Sequence, residues 1–432
     1  MATPFKIHVE PQNTGLLGLK LGESEASTVT DLLQKDLEIV HQVLTLYGTG
    51  ASSKDLDKAY DANRSYQLEA MKPKDEVVHS LEHGSDWKQF LGRGRNYATF
   101  FRFFQDEIER IGWQETLQEY LFKDDARGRD MQSRLFGGLL HPLIQLLYGM
   151  EWTQPMIIAA ALAQTAIHED KYDDFISSAA EMARSDDAPP KMESILGLYE
   201  DGAQHEKLSK SARWQDSQRI LDGVLTRARD EMAELAARVR IEESELEERT
   251  AEMVHAAAYV ALGAAFHPPN APRFDFFLMH HVTSTPFFLN LNAQSWIPTS
   301  VKVRFLETKI RMDLVQYMAR GAPKLHGDLL RNYTPKDGND LVTKPEDLFP
   351  RIHNIVDDGH TVKLARALML AQRVLKPYED RGWIKIKGDD EWLRAVYVLA
   401  DANEEADAQG ETMWIRSAGF EEAWEEIPKA KM

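Results

Sequence analysis

Two segments of this chain, residues 135–151 and 156–167, are apolar on nearly every face a helix would present. Such helices must be buried, so the rest of the chain has to supply a helical shell around them. The surrounding pattern is of the same kind. Thr30 can cap a helix running through Leu32, Leu33, Leu37, Ile39, Val40 and Leu44 to a turn at Gly48-Thr49-Gly50. Residues 96–113 place Tyr97, Phe100, Phe101, Phe103 and Phe104 at helical spacing, and residues 300–318 and 360–375 are amphipathic. Strand-like alternation is confined to one short candidate, Trp383-Ile384-Lys385-Ile386-Lys387. Residues 204–253 are dense in Glu, Lys, Arg and Ala and read as one or two solvated helices, an outer pair or an interaction arm. No repeat of solenoid length occurs. The expected fold is mainly α: one large helical domain over residues 1–432, with a charged helical insertion at about 204–253.

Composition narrows the function classes. The 432 residues carry a net charge of −18, which repels nucleic-acid backbones and anionic lipid surfaces. Apolar runs fall short of the roughly 20 residues that span a bilayer, and no signal-peptide pattern opens the sequence, so the expected compartment is the cytoplasm. There is no cysteine, so thiolate zinc, cysteine-held iron–sulfur clusters and disulfides are excluded. Any metal must sit on imidazole or oxygen donors. Gly48-Thr49-Gly50 lacks the third glycine and the preceding strand of a dinucleotide fingerprint. No phosphate loop, nucleophile elbow or His-Glu-x-x-His helix is present. His79 and His83 are four apart without that motif's Glu after the first, and read as surface residues.

Four of the fourteen histidines stand in apolar settings or at the start of an amphipathic helix: His41, His141, His280 and His360. Buried imidazoles cost free energy unless their nitrogens are satisfied, either by core hydrogen bonds or by a shared metal. His360 and Lys363 share a helix face. Lys363 either pairs with Asp357 or Asp358, or loses its proton and takes up CO2 as a carbamate, turning a repelled cation into an oxygen donor.

The sequence resembles the questin oxidase-like family of fungal secondary metabolism. The strings that carry this are His41-Gln42-Val43-Leu44-Thr45-Leu46-Tyr47, Asp86-Trp87-Lys88-Gln89-Phe90-Leu91-Gly92 and Gly138-Leu139-Leu140-His141-Pro142-Leu143-Ile144. Residues 274–284, Lys302-Val303-Arg304-Phe305-Leu306-Glu307 and Asp357-Asp358-Gly359-His360-Thr361-Val362-Lys363 follow in the same order. The resemblance implies an O2-dependent oxygenase that opens an anthraquinone or related aromatic polyketide ring with a Baeyer–Villiger-type outcome. It implies non-haem Fe(II) held by His41, His141, His280 and His360, a carboxylated Lys363 formed from CO2, and an external reductant such as NADPH. Lys363 and His280 then carry the catalytic role. Glu38 is placed to assist the first site, and His353 is the alternative to His360. The sequence departs from the family at Asp36, Glu38 and Gln42, in a region otherwise richer in His, and at Gln145, where a second His often follows the His-Pro string.

Candidates to line an aromatic pocket are Tyr97, Phe101, Tyr148, Phe277 and Trp296. The expected partners are a small aromatic substrate and O2, with no nucleic acid or membrane, and a homo-oligomer formed through the charged helices. Two rival readings are a metal-dependent lactone or ester hydrolase and a non-catalytic helical binding protein.

Overall fold

The computed structural model describes residues 1–63, 71–84, 87–338 and 340–430. The chain is mainly α, as its periodicity predicts, and its contacts divide it into two compact units. The first comprises Met1–Asp173, Leu289–Ile297 and Val356–Lys363; the second comprises Asp174–Phe288, Pro298–Ile355 and Leu364–Met432.

The centre of the first unit is the pair of apolar helices. Pro155 opens the helix Pro155–Ile167, where its fixed φ and missing N–H suit the first turn. That helix packs against Tyr97–Ile111 on one side and His141–Glu151 on the other. Phe100, Phe103 and Phe104 gather around Trp87 and Tyr120 with ring centroids 5.2–6.3 Å apart.

Two expected helices are interrupted. The segment capped by Thr30 is two helices, Glu23–Lys35 and Val40–Gly48. Thr30 lies inside the first of them, where its hydroxyl donates to Ala26 O and accepts from Val9 N. The segment 135–151 begins its helix only at His141. Before it, Gly138, Leu139 and Leu140 all take positive φ (52°, 56° and 64°). Left-handed leucines cost roughly 1–2 kcal/mol each, and such strain gathers where function needs a side chain aimed.

The second unit is built on Leu246–Gly263, Phe276–Thr283, Thr299–Ala319 and Gly388–Ala408. The strand expected at 383–387 does not form. The amides of Lys385 and Ile386 donate instead to the buried His255 Nε2, at 2.9 and 3.3 Å. The strands among the described residues are Phe274–Asp275 and Trp414–Ile415, paired in parallel with Phe274 opposite Trp414.

The charged stretch 204–253 folds as short helices and the start of the long helix Leu246–Gly263, with an apolar inner side, rather than as a solvated arm. Met232, Ala233, Leu235, Ala236 and Ala237 are buried within it. Glu252, 1% exposed, accepts from Ile195 N at 2.7 Å and pairs with Arg249. No described helix is long and apolar enough to cross a membrane.

Candidate active site

The first unit brings His41, His141, His360 and Lys363 to one cavity of about 500 Å³. Each reaches it by a different local device. His41 is the second residue of Val40–Gly48, and its ring stacks on Tyr148 at 5.4 Å. The Tyr148 hydroxyl is in turn tied to Thr45 Oγ1 at 2.5 Å. His141 is the first residue after the left-handed turn, and its ring stands edge-on to His41 at 5.8 Å.

His360 and Lys363 open the helix His360–Leu375. Its start is fixed by Asp357, whose carboxylate accepts from Gly359 N at 2.7 Å and Thr361 N at 2.8 Å. The backbone carbonyl of Asp357 accepts from Gln42 and Asn63, which ties this loop to the His41 helix. Gly359 is obligatory there: its φ is +84°, and a Cβ would lie 2.6 Å from Gln42 Cβ.

The electrostatics suit a shared cation. Burial, followed by the charge of Lys363, holds all three imidazoles below their ordinary range, with His141 pushed down to about 3. All three are therefore neutral at neutral pH and keep a lone pair for a metal. Burial also lowers Lys363, against the opposing pull of Asp358 and Asp357. No hydrogen bond or ion pair involves Lys363 Nζ among the described residues. Asp357 caps the helix, and Asp358 binds His360 Nδ1.

The Asp358–His360 pair has the form of a carboxylate orienting a ligating imidazole, leaving the lone pair on Nε2. His141 and His360 each offer a ring nitrogen within 4.8 Å of the other. His41 Nε2 is buried with no hydrogen-bond partner. Neutral imidazoles, an orphaned buried nitrogen and an amine without a hydrogen bond among the described residues fit a transition metal, with the amine supplying an oxygen donor once it carries CO2.

His280 belongs to the second unit, on Phe276–Thr283, and is buried with Nδ1 2.6 Å from Phe276 O. Its neighbour His281 turns to Asp313, which Lys309 also grips at 2.5 Å, so the two adjacent imidazoles have separate surroundings. His353 stacks on Phe349, also in the second unit.

Of the aromatic candidates, Tyr97 lines the cavity. Phe101 stacks behind Tyr97, Tyr148 stands behind His41, and Trp296 packs edge-on to Trp113 at 5.5 Å. Phe277 lies in the second unit beneath the Arg320 guanidinium, 4.0 Å from it. The cavity wall also holds Glu38, raised by burial and by the Asp36 charge. Gln145, Gln164 and His168, which sequence reasoning does not single out as lining, complete its polar part. Leu37, Ile39 and Ile167 are among its apolar residues. His79 and His83 stand exposed with rings 4.0 Å apart.

A family model described as Questin oxidase-like matches residues 38–368, which include every residue of this cavity but Leu37. The chain is 33% identical over 398 residues to the questin oxidase of Aspergillus fumigatus, covering 90% of this chain and 88% of that protein. It is 34% identical over 395 residues to a Baeyer-Villiger oxidase of Pestalotiopsis fici, covering 90% and 87%. It is 31% identical over 440 residues to a Baeyer-Villiger monooxygenase of Cryptosporiopsis sp., covering 97% of each. This chain is therefore an oxidoreductase of the oxygenase kind, and it belongs to the questin oxidase-like family.

Proposed function

We propose that the chain is a non-haem iron-dependent oxygenase that uses O2 to cleave a ring of an anthraquinone or related aromatic polyketide of fungal secondary metabolism. The observation that carries this reading is the convergence of three neutral imidazoles and the buried Lys363 on one cavity. The residues that would hold the iron are His41, His141, His360 and His280, with a carbamate on Lys363. When bound, iron supplies the O2 redox chemistry that amino-acid side chains lack.

The carbamate forms when the neutral amine of Lys363 adds to the carbon of CO2, making an N–C bond and releasing one proton to water. Lowering of the Lys363 pKa favours the amine that this addition needs. Asp358 keeps the His360 ring oriented. The cavity is of a size that suits a small polycyclic molecule, and its apolar residues Leu37, Ile39 and Ile167 with Tyr97 suit flat rings. Insertion of one oxygen atom beside a quinone carbonyl leaves the other to be reduced to water. That reduction takes two electrons from an external reductant such as NADPH.

Membership of an oxidoreductase family speaks against both the binding-protein and the hydrolase reading. The experiment is metal analysis of protein purified without affinity-tag metals, for the wild type and Lys363→Ala. The expected result is about one iron per chain, lost in the variant. O2 uptake should accompany consumption of a hydroxyanthraquinone. No stoichiometric transition metal in either sample, even after anaerobic addition of Fe(II), would overturn the proposal.

A further inference from the structure

Gln145 is a polar residue of the cavity whose amide nitrogen the metal reading leaves without a task. It lies one turn after His141 on the same helix face, is 1% exposed, and lines the cavity. Its Nε2 is buried and has no hydrogen-bond partner. The Gln145 side chain is a hydrogen-bond neighbour of His41, whose Nε2 the metal reading assigns to the iron. Gln42 donates to Asp357 O and accepts from Asn63, and Asp358 holds His360. A buried amide donor left unmade is expensive, whereas an apolar side chain of the same size at this position would carry no such cost. With His41 turned to the metal, a molecule in the cavity can supply the missing acceptor. An amide nitrogen donates only, so it seeks an acceptor oxygen and offers nothing to a metal cation.

We propose that Gln145 is a substrate-positioning residue whose Nε2 donates to a carbonyl oxygen of the bound quinone. This rests on the quinone reading of the same cavity. The donor sits one turn from His141, so the bond would fix a carbonyl of the flat ring system beside the imidazoles rather than leave it free to slide. An amide does not titrate, so this contact would hold the substrate equally across the pH range in which the enzyme is folded.

The test is anaerobic binding by the full chain as purified, read from the visible band of 1,8-dihydroxyanthraquinone. The companion ligand is 1,8-dihydroxyanthracene, which has the same rings without the carbonyls. Gln145→Met keeps the volume and removes the donor, and Gln145→Leu repeats the test with a second apolar side chain. The proposal expects the quinone to bind about 3- to 10-fold more weakly to the variants, the worth of one neutral hydrogen bond. The anthracene should bind as before, metal content should be unchanged, and the melting temperature should be equal or higher because a buried orphan donor is gone.

Equal quinone affinity in wild type and variants overturns the proposal. So does an equal loss for both ligands, or a fall in melting temperature and metal content, which would make Gln145 a packing residue. If the wild type binds neither ligand, the quinone reading itself fails, and the proposal falls with it.

Discussion

At Gly138 the backbone takes a φ of +52°, and a Cβ there would stand 2.1 Å from His168 Nε2. Two penalties therefore meet at one atom: left-handed strain for any side chain, and displacement of an imidazole from the cavity wall. Gly138→Ala should lose about 1–2 kcal/mol from the φ term alone. A further loss from the collision should disappear in the double variant Gly138→Ala/His168→Ala. Denaturant unfolding of the four proteins of this cycle measures both parts. If the double variant recovers nothing, His168 yields freely and the wall is not rigid.

The same residues show what a sequence discloses of a site. His41, His141, His360, Lys363 and Tyr97 are legible because imidazoles in apolar settings, a helical His/Lys pair and an aromatic helix face are unusual within a few residues. Gln145 stands out only as a departure from the family's pattern, and its part in the cavity is not legible; His168 is not legible at all, because a histidine after an alanine-rich helix gains meaning only from what stands opposite it. Gly138 matters through a neighbour 30 positions on, which no local pattern reveals.

At the scale of elements, the helix Phe276–Thr283 is held by one buried carboxylate. Asp275 Oδ1 accepts from Phe277 N and Leu278 N at 2.8 and 3.0 Å, capping the helix that carries His280. Its Oδ2 accepts from Ser417 N and Ala418 N at 2.6 and 2.8 Å, next to the parallel pair made with Trp414–Ile415. Asp275→Ala strands four amides, three of them in buried bonds. It should cost about 2–4 kcal/mol, more than a lost cap alone. Asp275→Asn keeps the cap oxygen but turns a donor toward two donors, so it should recover only part. Thermal unfolding of both variants decides this: equal, small losses would mean that solvent or relaxation satisfies the amides. Element boundaries follow the same logic of distant partners. The helices Pro155–Ile167 and Thr299–Ala319 are readable from periodicity because each pattern runs uninterrupted. The break between Lys35 and Val40 and the left-handed turn before His141 are not readable, since they place side chains against residues far along the chain. The two-residue strand at Phe274 is too short for any alternation to register.

For the molecule as a whole, burial of neutral imidazoles ties stability to pH. His255 is fully buried, accepts two backbone amides, and is pushed down to about 3 by burial and then by the Lys385 charge. In the unfolded chain it takes up a proton near 6.5. Its contribution to stability is therefore complete above that pH. It is lost progressively as pH falls from about 6.5 toward about 3, where the folded imidazole also protonates. The other depressed imidazoles act in the same direction, and acid release of any bound metal adds to them. His255 can be isolated because it lies in the second unit, on a helix that carries none of the proposed ligands. His255→Gln should lower stability at pH 7, where two loop amides lose their imidazole acceptor. It should also flatten the decline between pH 6 and 5 by up to about 1.4 kcal/mol per pH unit, the worth of one proton. Urea unfolding of wild type and variant at a series of pH values measures that slope. Parallel curves would show that His255 takes up its proton in the fold as readily as in the unfolded chain, and that the loop 383–387 is not held by an imidazole kept neutral.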